Sequence, residues 1–448
     1  MIKKFNFLCG LFLTFAFFFS SFRTVMGQPS KTSVSIIGSN WYINNEIINA
    51  GSSAEGLLMN VRMVNSVFED RGDRMPVQFG NFNTDKNTEA FISKISEYVF
   101  YGVNAFTISL QGGAPGYEGA INSAFDSDGS LRKEYMNRVK KVIKAADQNS
   151  AIIILSCFYQ RQHSYPSALN GRDAIMKALG NTVKWIKNNN FRNVILEVSN
   201  EYRHGGYLNW KDGKWIVSKK GQLELLTLAK SLDPDLLVST SGMGEGQMDE
   251  SLVKSVDFIT IHFNTTSLDN YVRKINKIKE SGKPVLCNED DKTGREGANA
   301  LIYSVLNGCG WGYMNNRQNQ YMPFRFEGYI DDTIVYNMMK KSITPGLLID
   351  KNSLTQSSII ITYPNDGDVF KSGQAINIRF SYLFADKTRK SVVHIYTNNK
   401  EAGIIEPDQT QFRLNLMEKG IIYLNIGVTD EKGKEILRSR KVDIIIKD

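Results

Sequence analysis

Short runs rich in Val, Ile and Leu recur eight times between residues 57 and 341, each followed by a segment of helical period. The runs cover 57–64, 105–110, 151–158, 193–199, 236–241, 258–262, 284–288 and 310–314. Helical patterns follow at 89–101, 131–147, 172–188, 222–231, 250–256, 268–280, 297–306 and 332–341. Near-continuous apolar strands mark a parallel sheet buried on both faces. Eight such repeats over about 290 residues predict a closed (β/α)8 TIM barrel rather than an open doubly wound sheet. The open sheet would also carry a Gly-x-Gly-x-x-Gly turn after its first strand, and none is present. A hairpin over 41–49, turning at Asn44-Asn45, precedes the first repeat.

From residue 357 the period changes to two. Runs at 359–362, 375–382, 391–397, 411–416, 421–429 and 436–446 are separated by turns such as Pro364-Asn365-Asp366-Gly367 and Asp430-Glu431-Lys432-Gly433. Six or seven short strands over ~90 residues predict a small all-β, immunoglobulin-like sandwich. The chain is thus α/β with an all-β appendage: a barrel over 28–348, a hinge near Pro345-Gly346 and a sandwich over 355–448. The sandwich has no Trp, and Tyr382, Tyr396 and Tyr423 alternate with apolar residues as core members do. It reads as a packing or spacer module rather than a carbohydrate-binding one.

Residues 1–27 follow another logic. Lys3 and Lys4 precede an apolar stretch over 5–19, and Val25-Met26-Gly27 offers a cleavage site. This is the pattern of a secretory signal peptide, and the stretch falls short of the ~20 residues a membrane span needs. The expectation is a secreted or periplasmic protein, with no membrane insertion after cleavage. The net charge of +8 draws three charges from Lys3, Lys4 and Arg23. The remaining basic clusters, 138–144 and 274–279, fall at helical spacing and read as solvated faces, so no nucleic acid is expected. Cys157, Cys287 and Cys309 lie in or beside apolar runs without metal-ligand spacing. Buried free thiols are expected, with no metal and no cofactor.

In a (β/α)8 barrel the reactive groups gather at the C-terminal ends of the strands. Strand four ends Glu197-Val198-Ser199-Asn200-Glu201, and strand seven ends Cys287-Asn288-Glu289-Asp290-Asp291. Strand six ends at His262, and strand eight carries Trp311. Two glutamates across one barrel mouth can serve as acid/base and nucleophile in retaining glycoside hydrolysis, which requires carboxyl groups ~5–5.5 Å apart. The acid must keep its proton near neutral pH while the nucleophile stays ionised. Asn200 can donate to a sugar hydroxyl, and His262 and the Trp311 indole can shape a sugar subsite. His163 and Arg62 fall near the same mouth. Each residue also has a plain structural role open to it: a helix cap for Glu201, a solvated acidic turn or a cation site for Glu289, core filling for His262 and Trp311. Glu201 and His204 have Glu-x-x-His spacing, but a di-metal carboxylate site needs two such helices.

Over residues 34–345 the chain resembles the retaining (β/α)8 glycoside hydrolases, the clan that includes cellulases, mannanases and β-galactosidases. The likeness rests on Glu197-Val198-Ser199-Asn200-Glu201 on strand four, together with Lys283-Pro284-Val285-Leu286-Cys287-Asn288-Glu289 on strand seven. The resemblance implies that Glu201 is the acid/base, Asn200 its substrate-binding neighbour and Glu289 the nucleophile. It also matches His262 to the histidine after strand six and Trp311 to the strand-eight tryptophan. The implied substrate is a β-linked oligo- or polysaccharide. Three departures mark a divergent member. Tyr202 stands where the clan usually has Pro, Asn264 where many members have Tyr, and the run at 105–110 lacks an Arg. Arg62, on strand one, can supply that guanidinium from a neighbouring position. The alternative is a non-catalytic glycan-binding or scaffold protein on a decayed hydrolase barrel. An aldolase-like or phosphate-binding barrel fits least, because the strand-seven loop is acidic.

Overall fold

The computed structural model describes residues 30–71, 82–112, 120–161, 168–349, 358–383, 391–406 and 409–448. The signal-peptide pattern at 1–27 and His163 lie outside them. A small antiparallel sheet comes first, β1 Val34–Ile37, β2 Asn40–Ile43 and β3 Glu46–Ile47. Asn44 and Asn45 turn β2 into β3 with φ of 52° and 65°, the left-handed pair that a tight hairpin requires. Only β2 and β3 are legible as a hairpin; β1 adds a third strand. Trp41 from this sheet packs edge-on against Phe258 among the early residues of the barrel strands, Leu58, Ala105, Ile152, Ile195 and Leu286. The first sheet thereby plugs the end of the barrel remote from the site.

The barrel strands are β4 Met59–Arg62, β5 Ala105–Ser109, β6 Ile152–Phe158, β7 Val194–Ser199, β8 Val238–Ser239, β9 Ile259–His262, β10 Val285–Asp290 and β11 Gly310–Tyr313. Every pairing is parallel, in the order β8-β7-β6-β5-β4-β11-β10-β9. A parallel bridge between Ser241 and Thr260 joins the two ends of that order and closes the cylinder. All residues of all eight strands are buried, which is why the sequence reads as unbroken apolar runs instead of alternating ones. The surrounding helices are α1 Thr84–Phe100, α2 Lys133–Gln148, α3 Arg172–Asn188, the short α4 Gly213–Ile216, α5 Lys219–Leu232, α6 Glu250–Ser255, α7 Leu268–Lys279, α8 Gly294–Leu306 and α9 Thr333–Ile343. On α2 the buried Tyr135, Val139, Val142, Ile143 and Ala146 form one stripe, and the remaining face carries the lysines. Asn83, Ser218 and Asp332 start α1, α5 and α9 by accepting from backbone N–H groups three residues on. The (β/α)8 barrel that the alternation predicts is the fold observed.

Among the described residues nine strands follow: β12 Ser358–Tyr363, β13 Val369–Lys371, β14 Ala375–Leu383, β15 Ser391–Thr397, β16 Lys400–Ile405, β17 Gln411–Asn415, β18 Gly420–Asp430, β19 Glu435–Arg438 and β20 Val442–Lys447. They form a three-stranded sheet, β12-β14-β17, and a second sheet ordered β13-β20-β18-β15-β16, with β19 beside β18. The sheets share a core of Ile376, Ile378, Phe380, Val393, Ile395, Leu424, Ile426 and Ile444. The expected six or seven strands become nine, because β13 and β16 are short and the run at 436–446 breaks into β19 and β20. Tyr382 joins the core, but Tyr396 and Tyr423 face outward, each under a cation, Arg438 and Lys441 respectively. The inward phase belongs instead to their neighbours Ile395 and Leu424.

Candidate active site

Strand β7 delivers Glu201 through an unusual backbone. Asn200 N–H still donates to Phe158 O, continuing the ladder for one residue at 2.9 Å. Glu201 then turns into the left-handed region with φ of 47°. For a residue with a Cβ this conformation is uncommon and carries a cost of about 1 kcal/mol or more. It is held from β8's extension: Glu201 N–H donates to Ser241 Oγ at 2.9 Å, and Tyr202 N–H to Ser241 O at 3.1 Å. Tyr202, where proline was expected, is buried and donates its hydroxyl to Asp249 at 2.5 Å, a packing role.

Strand β10 delivers Glu289 through a bulge. Its register shifts after Cys287 against both neighbours, so that Glu289 pairs with His262 of β9 and Asp290 with Tyr313 of β11. The extra residue re-aims the side chains that follow, as bulges beside active sites do. Asn288 enters the barrel interior and donates to Glu197 Oε1 at 3.2 Å, while its carbonyl accepts from Asn60 at 3.1 Å. Gly312 on β11 makes room, since a Cβ there would lie 2.6 Å from the Asn288 backbone.

The two glutamates converge on His262. Its Nδ1 lies 3.3 Å from Glu201 Oε1 and 3.6 Å from Glu289 Oε2. One oxygen of each carboxylate and this nitrogen all fall within 4.8 Å of one another. Arg62 Nε sits 2.7 Å from Glu289 Oε2, and its Nη2 donates to Asn200 Oδ1 at 2.6 Å. Asn264 Nδ2 donates to Glu289 Oε1 at 2.8 Å. Gln160 completes the ring: its Oε1 accepts from Asn200 at 3.2 Å, and its Nε2 faces Glu201 Oε2 at 3.4 Å.

These neighbours set the charges. Burial pushes the Glu289 carboxyl up, but Arg62, His262, the Asn264 hydrogen bond and Arg379 together outweigh it and hold it below its ordinary value. Burial pushes the His262 imidazole down, yet Glu289 and Glu201 on either side bring it above its usual value. Asp291, two residues past Glu289, is driven up to about 6, chiefly by burial, against the pull of Arg379 and Lys292. Glu201, His262 and Glu289 are also the three residues whose atoms could hold a cation. A cation there would meet the Arg62 guanidinium already seated on Glu289, so the donor set suits a proton-handling pair better than a metal.

Of the residues singled out in the sequence, Glu201, Glu289, Asn200 and Arg62 line one cleft at the barrel mouth. His262 lies beneath it, fully buried. Trp311 does not belong to the cleft. It is fully buried, donates Nε1 to Asp290 at 2.9 Å and stacks on Tyr313, so its indole offers no face to a sugar. Asp290 also accepts from Lys292 and Tyr271, and this closed set of buried partners explains why an indole that looked like a platform is a strut. Gln160, Ser241, Asn264, Asp291 and Arg379 are the neighbours that sequence reasoning passed over. Asn264 is legible by its place two residues after His262, where the resemblance marks only a departure from tyrosine.

The cleft has a volume of about 880 Å³, in the upper range of ligand pockets. Its other wall comes from the sandwich, including Tyr363, Lys371, Asn377, Arg379 and Gln411. The two parts are joined by Arg379 to Asp291 at 3.2 Å, Ser381 Oγ to Glu296 at 3.1 Å and Thr410 Oγ1 to Thr265 O at 2.5 Å.

No family model matches the chain, and no curated protein matches it in sequence. Among solved structures it is similar to Bacteroides uniformis beta-glucuronidase 2, at 10% identity and a TM-score of 0.46, over 93% of this chain and 48% of that one. It is also similar to a tri-modular GH5 (subfamily 4) endo-beta-1,4-glucanase from Bacillus licheniformis, at 14% identity and a TM-score of 0.43, over 89% and 80%. A third is a modular family 26 endo-beta-1,4-mannanase from Cellulomonas fimi, at 12% identity and a TM-score of 0.40, over 90% and 99%. The chain thus spans about half the length of the glucuronidase. No helix among the described residues is long and apolar enough to cross a membrane.

Proposed function

We propose that the chain is a glycoside hydrolase that cleaves a β-linked glycan with retention of configuration, outside the cytoplasm. The observation that carries this reading is the pair Glu201 and Glu289, with carboxylate oxygens within 4.8 Å across one barrel mouth. So close an approach suits direct attack by one carboxylate, as retention requires. The surroundings divide the roles. Glu289 has Arg62, Asn264 and His262 against it, all favouring its ionised form, and is the nucleophile. Glu201 shares His262, but its other side-chain partner is the neutral Gln160 amide rather than an arginine, and it is the acid/base.

In the first step the Glu201 carboxyl gives its proton to the glycosidic oxygen as that bond breaks. Glu289 Oε attacks the anomeric carbon from the opposite face, forming a glycosyl ester. In the second step the Glu201 carboxylate takes a proton from water, whose oxygen displaces Glu289 and restores the starting configuration. His262 between the two carboxylates keeps each aimed and absorbs part of the charge that moves between them. Asn200 and Arg62 tie the two strand ends together.

The test is hydrolysis of activated aryl glycosides and of a panel of β-linked polysaccharides by wild type, Glu201→Gln and Glu289→Gln. The anomer first released is read by NMR. The expected outcome is a retained anomer, with activity lost in Glu289→Gln. Glu201→Gln should lose natural substrates most, because an activated leaving group needs no proton. An inverted product, or full activity in both variants, would refute the reading.

A further inference from the structure

Along β14 the side chains alternate. Ile376, Ile378, Phe380 and Tyr382 point into the sandwich core. Ala375, Asn377, Arg379 and Ser381 therefore share the opposite face, and that face is turned to the barrel. Ser381 reaches Glu296 and Arg379 reaches Asp291, while Asn377 lies over the open cleft. Gln411 of β17 pairs opposite Arg379 and widens the same surface. The Asn377 and Gln411 side chains make no hydrogen bond within the protein among the described residues, and both are exposed. Arg379 lies over the Tyr363 ring, 5.4 Å from its centroid, which fixes the guanidinium beside the cleft.

A spacer needs no polar sheet set over the mouth of its neighbour. We propose that the outer face of β12-β14-β17 is the second wall of the substrate cleft and binds the sugars flanking the cleaved bond. Its occupant is one glycan chain, running from Glu201 and Glu289 onto the sandwich. The amides of Asn377 and Gln411 can each donate and accept, which matches neighbouring sugar hydroxyls. Arg379 adds fixed donors. Continuity is the second support: barrel and sandwich residues line a single cleft of about 880 Å³, large for one sugar ring. The inference rests on the glycosidase reading for what the glycan is, but not for whether it binds.

The experiment compares full-length wild type with Asn377→Ala/Gln411→Ala, using β-linked gluco-, manno- and galacto-oligosaccharides from disaccharide to hexasaccharide. The loss in kcat/KM should grow with length, reaching at least tenfold more for the hexasaccharide than the disaccharide and residing in KM. Melting temperatures should agree, since neither side chain is packed. A loss equal at every length, or none, overturns the proposal. Should wild type cleave nothing, calorimetric binding of the same series decides. Binding weakened tenfold in the double variant keeps the wall and sinks only the hydrolase; unchanged or absent binding overturns the wall as well.

Discussion

Replacing Arg62 by methionine removes a guanidinium that touches both strand ends of the site. Its Nε lies 2.7 Å from Glu289 Oε2 and its Nη2 2.6 Å from Asn200 Oδ1, and the side chain is only 3% exposed. Two unit charges about 4 Å apart interact by roughly 4 kcal/mol at an effective dielectric of about 20. A carboxylate beside an arginine is held in its ionised form. Arg62→Met should therefore raise the Glu289 carboxyl. The acid limb of kcat/KM against pH, which follows ionisation of the nucleophile, should move upward with it.

Stability carries the matching sign. A carboxyl held low in the folded state stabilises fully above its unfolded value near 4.3, and that stabilisation fades as pH falls through the folded value. Breaking a buried pair costs about 3–5 kcal/mol, so the variant should lose most at pH 7 and least in acid. Thermal melts and pH–rate profiles on an aryl glycoside, measured side by side, check both. Arg62→Lys separates charge from shape. It should return the acid limb towards wild type while kcat stays low, because an ammonium cannot span Glu289 and Asn200 together. An acid limb unmoved in Arg62→Met would refute the assignment of Glu289 as an arginine-stabilised nucleophile.

Three other outcomes are expected. Asp291 is raised from 3.8 to about 6, so its ionisation costs the native state little at pH 4 and below and up to about 3 kcal/mol above pH 6. Asp291→Asn should accordingly gain melting temperature relative to wild type as pH rises from 4 to 7; a flat difference contradicts this. Ser241→Ala deletes the acceptor for Glu201 N–H, a hydrogen-bond loss of about 1–3 kcal/mol. Since about 1.4 kcal/mol is tenfold in rate, kcat should fall about tenfold or more with KM nearly constant, and an unchanged kcat would count against the held left-handed turn. Cys157, Cys287 and Cys309 are buried, and burial pushes each thiol up, Cys309 to about 12. Ellman's reagent should label none of the three in native protein and all three in denaturant.

The barrel was legible because burial on both faces writes itself into each strand as an apolar run, and no long-range knowledge is needed to see it. Boundaries shifted where local chemistry competes. Strand β10 continues through Asn288, Glu289 and Asp290, three polar residues that propensity assigns to a loop. Pairing with β9 and β11 overrides that preference, because Asp290 finds Trp311, Tyr271 and Lys292, and Glu289 finds Arg62 and Asn264. Trp311 failed for the same reason in reverse. Nothing in its own neighbourhood announces the acidic partner that holds it inside; that partner lies 21 residues earlier.

The same distance limits what the sequence of the sandwich announces about its surroundings. Alternation along β14 correctly separates an apolar from a polar face, but a polar face reads as solvent-exposed in any isolated domain. In the fold that face is docked on the barrel, through Arg379 on Asp291, 88 residues apart, and Ser381 on Glu296, 85 residues apart. Charge gives the clearest sign of that docking. Asp291 is buried, and among the described residues the ion pair that reaches it comes from Arg379. Within the fold this pair offsets part of the cost of desolvating the carboxylate. The acidic end of β10 and the basic residue of β14 are therefore one feature of the fold, and on the proposal above the sandwich is the second wall of the site.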